Sequence, residues 1–304
     1  MITYQNMQNK PAVLRHLCGL TVPALHELLP AFQAVYQRDL ERRDQARTKE
    51  RQRQAGGGQK GALKTVEDKL LFILVYFRQY PVQILQGYLF GMGQAQANEW
   101  IHRLTPLLEE SLGHTCQLPA RQSRDISQVL ARCPGLEFII DGTERPIRRP
   151  QSPERQRTHY SGKKKRHTVK NVVISDKGTG KIKALSATVV GTRHDKKIAD
   201  EQALVFPKGS HLWKDSGFQG YEPPDITTWQ PRKKAKGGEL SATEKEANRL
   251  IARERIGIEN SLAGVKVFNI VHDIFRNLRH GFDDLVMSVS CGLHNLRLDY
   301  PVQA

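Results

Sequence analysis

The stretch "GLEFIIDGTERPI", residues 135–147, decides how the second half of the chain is read. Residues 136–140 form a short, mostly apolar run that stops abruptly at Asp141-Gly142. Such a run reads as a buried strand, and the Asp-Gly pair after it as a turn. Downstream, "RHTVKNVVIS" (166–175) and "GKIKALSATVV" (180–190) are joined through the Gly-rich "DKGTG", which predicts an antiparallel hairpin. "SHLWKDSGF" (210–218) is another short strand that stops at an aspartate, Asp215, and "PDITTWQP" (224–231) is one more. Before them, Asp195 reads as the cap of a helix over residues 198–204. A long helix starts at Ser241, with Glu244 three residues on as its capping partner, and residues 281–298 close as an amphipathic helix. Antiparallel strands followed by alternating helices and strands predict one mixed-sheet α/β domain over residues 133–300.

The first half has a helical texture. Thr21 caps a helix over residues 21–40 with the stripe Leu25, Leu28, Leu29, Phe32, Val35 and Tyr36. "LERRDQARTKERQRQAGGGQKG" (40–61) then has nothing to bury and reads as a basic linker, so residues 1–60 are an N-terminal helix plus linker. Order restarts at Thr65 and Asp68, which approximate a capping box, and Leu70, Leu71, Ile73, Leu74 and Phe77 follow at helical spacing. Pro81 opens a short helix to about Phe90, Gly91-Met92-Gly93 turns, and a third helix covers residues 94–108. This is a helix-turn-helix layout within an all-α domain, residues 61–115. Gln96, Asn98 and Arg103 lie mostly off the apolar stripe of the third helix and have side chains able to pair with base edges. A plain helical bundle with a solvated face fits the same segment.

The 304 residues carry 47 Lys+Arg against 31 Asp+Glu, a net charge of +16. That excess suits nucleic acid, anionic membranes or acidic proteins. No apolar run approaches the ~20 residues a spanning helix needs, and the N-terminus lacks a secretory pattern. Cys18, Cys116, Cys133 and Cys291 are scattered without zinc-ligand spacing, as expected of free thiols in a reducing cytoplasm.

Asp141 and Asp215 each end a short hydrophobic strand and are followed within two residues by glycine. Either alone also reads as a turn-former or cap. Together they are placed to share a hard cation, since Mg²⁺ favours one or two protein carboxylates plus waters and substrate phosphates. Such ions serve phosphodiester displacement. A third acid stands in "ARERIGIENSLAGVKVF" (252–268): on a helix, Arg255, Glu259 and Lys266 fall within roughly 40° of one another. Glu144 competes for that role, but its side chain points the opposite way from Asp141 if the strand continues.

The succession "FIIDGTERPI", "WKDSGFQGY" and "RIGIENSLAGVKVF" resembles the DDE transposases of bacterial insertion sequences, the DDE superfamily endonucleases with a preceding helix-turn-helix domain. The similarity runs from about Thr21 to Leu298; one departure is Ala252, where related enzymes often carry Tyr. The resemblance implies an RNase H-like catalytic domain with Asp141, Asp215 and Glu259 as catalytic residues and metal ligands, separated by 74 and 44 residues. It implies Mg²⁺ (Mn²⁺ as substitute), hydrolysis at transposon ends and strand transfer into target DNA. Double-stranded DNA would be the partner, bound by a homo-oligomer in the bacterial cytoplasm at the nucleoid. Lys266 and Arg255 would hold phosphates, with Arg255 alternatively orienting Glu259. Between Arg145 and Lys170 stand ten Lys/Arg and one acid, read as a DNA track centred on Lys163, Lys164, Lys165 and Arg166. His194-Asp195 reads as a turn or cap that, by the resemblance, recurs near the site; it is left outside the catalytic set. The alternative function is a non-catalytic DNA-binding regulator derived from such an enzyme.

Overall fold

The structure, a computed structural model, describes residues 1–48, 61–234 and 238–302. Their contacts gather into two compact units that interleave along the chain. The first takes Met1–Leu118, Val267–Ile270 and Leu285–Ala304; the second takes Pro119–Lys266 and Val271–Asp284.

The first unit is helical: α1 (Tyr4–Met7), α2 (Pro11–Cys18), α3 (Val22–Gln45), α4 (Val66–Gln79), α5 (Gln83–Phe90) and α6 (Gln94–His114). Helix α4 is its centre, because every side chain from Asp68 to Phe77 is buried, and a helix apolar nearly all round must be surrounded. Its start is fixed locally: Thr65 Oγ1 accepts from the Asp68 amide at 3.1 Å, and the Asp68 carboxylate accepts from the Thr65 amide at 3.3 Å. Helix α3 runs five residues past the expected end at residue 40. Its last turns are held by surface ion pairs, Arg43 with Asp39 and Arg38 and Arg42 with Glu110. Residues 49–60 of the expected linker lie outside the described residues. Between α5 and α6 the chain turns at Gly91, whose φ of 73° is the left-handed conformation that a side chain disfavours. Helix α6 continues six residues beyond the expected 108, burying Leu112.

The C-terminal stretch also packs into this unit. In Leu285–Ala304, Val286, Met287, Val289, Cys291, Leu293 and Leu296 are buried, and Asn295 donates to the Gln117 carbonyl at 2.8 Å. The apolar face of this stretch packs on residues such as Leu112 and Leu118.

The second unit holds α7 (Ser123–Ala131), β1 (Glu137–Pro146), α8 (Pro153–His159), β2 (Tyr160–Ser161), β3 (Arg166–Asp176), β4 (Ile182–Leu185), β5 (Val189–Val190), α9 (Asp195–Gln202), β6 (His211–Lys214), β7 (Thr227–Trp229) and α10 (Ala242–Lys266). Two further helices follow, α11 (Asn269–His272) and α12 (Phe282–Asp299). Strand order is β2-β3-β1-β6-β7, with β4 and β5 also on β3. Strand β1 pairs antiparallel with β3 and parallel with β6, and β6 pairs parallel with β7. This is the mixed sheet of an RNase H-like fold. Phe138, Ile140 and Leu212 face a core closed by Ile126 and Leu130 of α7 and Ile198 and Ala199 of α9. Helix α10 covers the other face, where Ile139 meets Gly257.

One expectation is corrected here. Strand β1 does not end in a turn at Asp141-Gly142: it continues to Pro146, because the eleven-residue β3 supplies partners as far as Pro146↔Thr168. Among the described residues no helix is long and apolar enough to cross a membrane.

Removing the Thr65 hydroxyl leaves the Asp68 amide without its cap. Thr65→Ala should therefore cost about 1 kcal/mol, read as a lower denaturation midpoint at unchanged slope. An unchanged midpoint would mean that water caps the helix equally well.

Candidate active site

The parallel ladder between β1 and β6 ends at the pair Ile140↔Lys214. Asp141 is the next residue of β1 and Asp215 the first residue past β6, so the two carboxylates are neighbours at the rim where this pairing stops, close enough for the Asp215 charge to act on Asp141. Both are anchored by a backbone amide just downstream. Asp141 Oδ1 accepts from the Gly142 amide at 2.8 Å, and Asp215 Oδ1 from the Gly217 amide at 2.7 Å. Gln230 donates to the Asp215 carbonyl at 2.6 Å. The neighbouring Lys214 is fully buried and holds the loop that follows through the Tyr221 carbonyl and, at 2.5 Å, Glu222.

Helix α10 presents its cations to this rim. Arg255 Nη2 lies 3.8 Å from Asp141 Oδ1, and Lys266 also feels the Asp141 charge. Burial, then the nearby Lys164, push the Lys266 ammonium below its ordinary pKa, while Asp141 pulls it the other way. Lys163, Lys164 and Lys165 in the turn between β2 and β3, and Arg166 at the start of β3, are exposed, so their charges meet solvent or a polyanion. Two of the ten basic residues read as a DNA track are internal instead. Arg145 is buried against Asn171, Thr188 and the Asp283 carbonyl, and Lys170 is buried against Asp195 at 3.1 Å and Glu144 at 3.6 Å.

The third acid differs from the first two. Glu259 is exposed on α10, on the same stripe as Arg255 and Lys266. Among the described residues no group of three or more His, Cys, Asp or Glu side chains is close enough to ligate one ion by itself. Glu144 points away from Asp141 as the strand alternation requires, and accepts from Thr168 Oγ1 at 3.1 Å. Asp195 is not a cap: it is the first residue of α9, after His194, and its carboxylate turns toward Lys170.

The candidate DNA-reading residues on α6 are unlike one another. Gln96 is exposed. Asn98 is half-buried and accepts from Gln83 Nε2 at 3.0 Å. Arg103 is taken up internally: it bonds Asp39 at 2.9 and 2.7 Å and stacks over Tyr36 and Trp100. Burial opposes ionisation of Asp39, but the bonds from Arg103 and Arg43 outweigh it and hold the carboxyl below its usual range.

The site fits a divalent cation by its chemistry. Asp141 is pushed up to about 6, first by burial and then by Asp215 and Asp195, with Arg255 and the Gly142 amide acting against them. Hard oxygen donors that repel one another in a half-buried rim are what a divalent ion relieves, and Mg²⁺ needs only one or two protein carboxylates.

Residues 140–295, slightly more than half of the chain, match the family model for DDE superfamily endonucleases. The chain belongs to that family. Residues 61–114 match the model for the helix-turn-helix of the DDE superfamily endonuclease, which here spans α4 to α6. A probable transposase for insertion sequence element IS702 from Microchaete diplosiphon is 28% identical over 235 residues, covering 77% of this chain and 81% of that protein. A solved structure of the piggyBac transposase synaptic complex with hairpin DNA aligns with a TM-score of 0.44 and 13% identity, over 95% of this chain and 74% of that one. DDE superfamily endonucleases generally use divalent metal ions.

The raised Asp141 has a consequence for stability. In the unfolded chain it ionises near 3.8, so between about pH 4 and pH 6 the folded form holds the extra proton and stability falls as pH rises. Above that window the deficit is complete, on the order of 3 kcal/mol. In chelator-treated protein, Asp141→Asn should raise the melting temperature at pH 8, and the gain should vanish toward pH 4. An equal gain at both pH values would show that charge is not its cause.

Proposed function

We propose that this protein is a DNA transposase that hydrolyses phosphodiester bonds at the ends of its own element and joins the freed 3′ ends to target DNA. The observation that carries this reading is that Asp141 on β1 and Asp215 just past β6 follow directly where the parallel pairing of those strands stops, with Arg255 of α10 beside Asp141. Asp141, Asp215 and Glu259 would hold the ions, Mg²⁺ or Mn²⁺. When bound, such an ion lowers the pKa of the attacking water or hydroxyl and neutralises the leaving oxygen. Arg255 restrains the Asp141 carboxylate and, with Lys266, offers positive charge to a scissile phosphate beside it. The exposed turn of Lys163, Lys164, Lys165 and Arg166 extends that charge outward along the backbone of a duplex, which it would grip without reading sequence.

End recognition belongs in this reading to the helix-turn-helix segment. Of its three polar candidates, exposed Gln96 is the one this reading assigns to base contact; Asn98 would have to leave Gln83, and Arg103 supports the bundle from inside. Two element ends must be held together during joining, so copies of the chain assemble on DNA.

Two experiments test the proposal. Asp141→Asn, Asp215→Asn and Glu259→Gln should each bind end DNA but lose both cleavage and strand transfer in Mg²⁺, while Glu144→Gln should retain far more. Normal cleavage by all three would make this a DNA-binding regulator rather than an enzyme. Neutralising Lys163, Lys164, Lys165 and Arg166 should weaken binding to every DNA sequence alike and flatten the salt dependence by about 0.9 logarithmic unit per lost phosphate contact. An unchanged slope would mean that the turn is merely solvated.

A further inference from the structure

Asp141 is followed directly by Gly142 and Asp215, two residues on, by Gly217, and in each case the structure gives the same reason. A Cβ on Gly142 would stand 2.4 Å from Asp195 Oδ1, and one on Gly217 would stand 2.9 Å from Asp195 Oδ2. One carboxylate therefore lies with its two oxygens against the two glycines, in space that any side chain would close. The point beside Gly217 is also 2.9 Å from Asp215 Oδ1, so oxygens of Asp195 and Asp215 share a common near neighbour position. From behind, Lys170 Nζ reaches Asp195 Oδ1 at 3.1 Å and Glu144 at 3.6 Å, and donates to the Arg193 carbonyl at 2.9 Å. Lys170 is nearly inaccessible, so this pairing is held by the sheet and does not drift with solvent.

A purely structural ion pair between α9 and β3 does not need this position. Asp195 is the first residue of its helix, where an acid is favourable anyway, yet its carboxylate is directed between the two catalytic loops rather than to the helix amides. Asp141 has Arg255 at 3.8 Å and Asp195 has Lys170 at 3.1 Å, but the Asp195 and Asp215 oxygens that flank the Gly217 position still repel one another, and a cation near them offsets that repulsion.

Resting on the reading of Asp141 and Asp215 as metal-holding residues, we propose that Asp195 is a further acidic residue of the same site. Its carboxylate, clamped by Lys170 between Gly142 and Gly217, sets the position of both catalytic loops and adds its charge to the attraction for the divalent ion. Among the described residues no three carboxylates are close enough to ligate one ion directly, so Asp195 would act on a bound ion indirectly, by its charge and by holding the backbone beside Asp141 and Asp215. It is a positioning residue.

The test measures ion binding on the full-length protein without DNA or activity. Mn²⁺ binding is followed by electron paramagnetic resonance, and Fe²⁺ with ascorbate and peroxide is used to cut the backbone beside the ion. Wild type should be cut near Asp141 and Asp215. Asp195→Asn keeps the shape and should weaken Mn²⁺ binding about tenfold, with cutting reduced in proportion. Asp195→Glu restores the charge and should recover part of the affinity, which a merely structural role would not produce. Gly142→Ala should weaken Mn²⁺ binding in wild type but hardly at all once Asp195 is Ala, because the clash is with that carboxylate. Wild-type affinity in Asp195→Asn, alongside lost affinity in Asp141→Asn and Asp215→Asn, would overturn the role of Asp195 alone. Unchanged affinity in all three would overturn the metal reading of the site itself.

Discussion

The parallel pairing of β1 with β6 is the constraint on which the site depends. It runs through four residue pairs and stops at Ile140↔Lys214, leaving Asp141 within β1 and Asp215 just past the end of β6. Neither carboxylate has to be brought in by a flexible loop. Each strand is fixed from both sides, β1 by the nine-residue ladder to β3 and β6 by β7. The apolar residues just before the aspartates, Phe138, Ile140 and Leu212, are fully buried, so the same packing that stabilises the sheet sets the spacing of the acids. A chemistry that needs two charges close together against their repulsion is here supported by hydrophobic burial on the strands that carry them.

Around that rim the charges are arranged by sign. The acids lie at the sheet end, the partly buried cations Arg255 and Lys266 lie on the helix across it, and the exposed cations lie in the hairpin turn beyond. Internal cations have different work. Arg145, Lys170 and Lys214 are all buried, and each is bound to carbonyls or carboxylates that fix a neighbouring strand or loop. The net charge of +16 is thus not one undivided basic surface: part of it is structural and part is presented to solvent. The helix-turn-helix segment has the same division, with Arg103 inside and Gln96 outside on one helix.

Features that depend on near neighbours were legible in the amino-acid sequence. The capping boxes at Thr65 with Asp68 and at Ser241 with Glu244 span three residues, and both form as read. The hairpin of β3 and β4 and the two short strands before Asp215 and over residues 227–229 follow from alternation and turn chemistry within a few residues. The two strand-borne aspartates were legible because each follows an apolar run directly. Tertiary structure decided what depends on partners far along the chain. Whether β1 stops at Gly142 or continues depends on β3, about thirty residues on, and a strand's length is set by its partner's hydrogen bonds as much as by its own residues. Arg103 looked free to read DNA because nothing local marks Asp39, 64 residues earlier, as its partner. Asp195 looked like a cap for the same reason: its neighbours Lys170, Gly142 and Gly217 come from three other elements, and only folding brings them to one place.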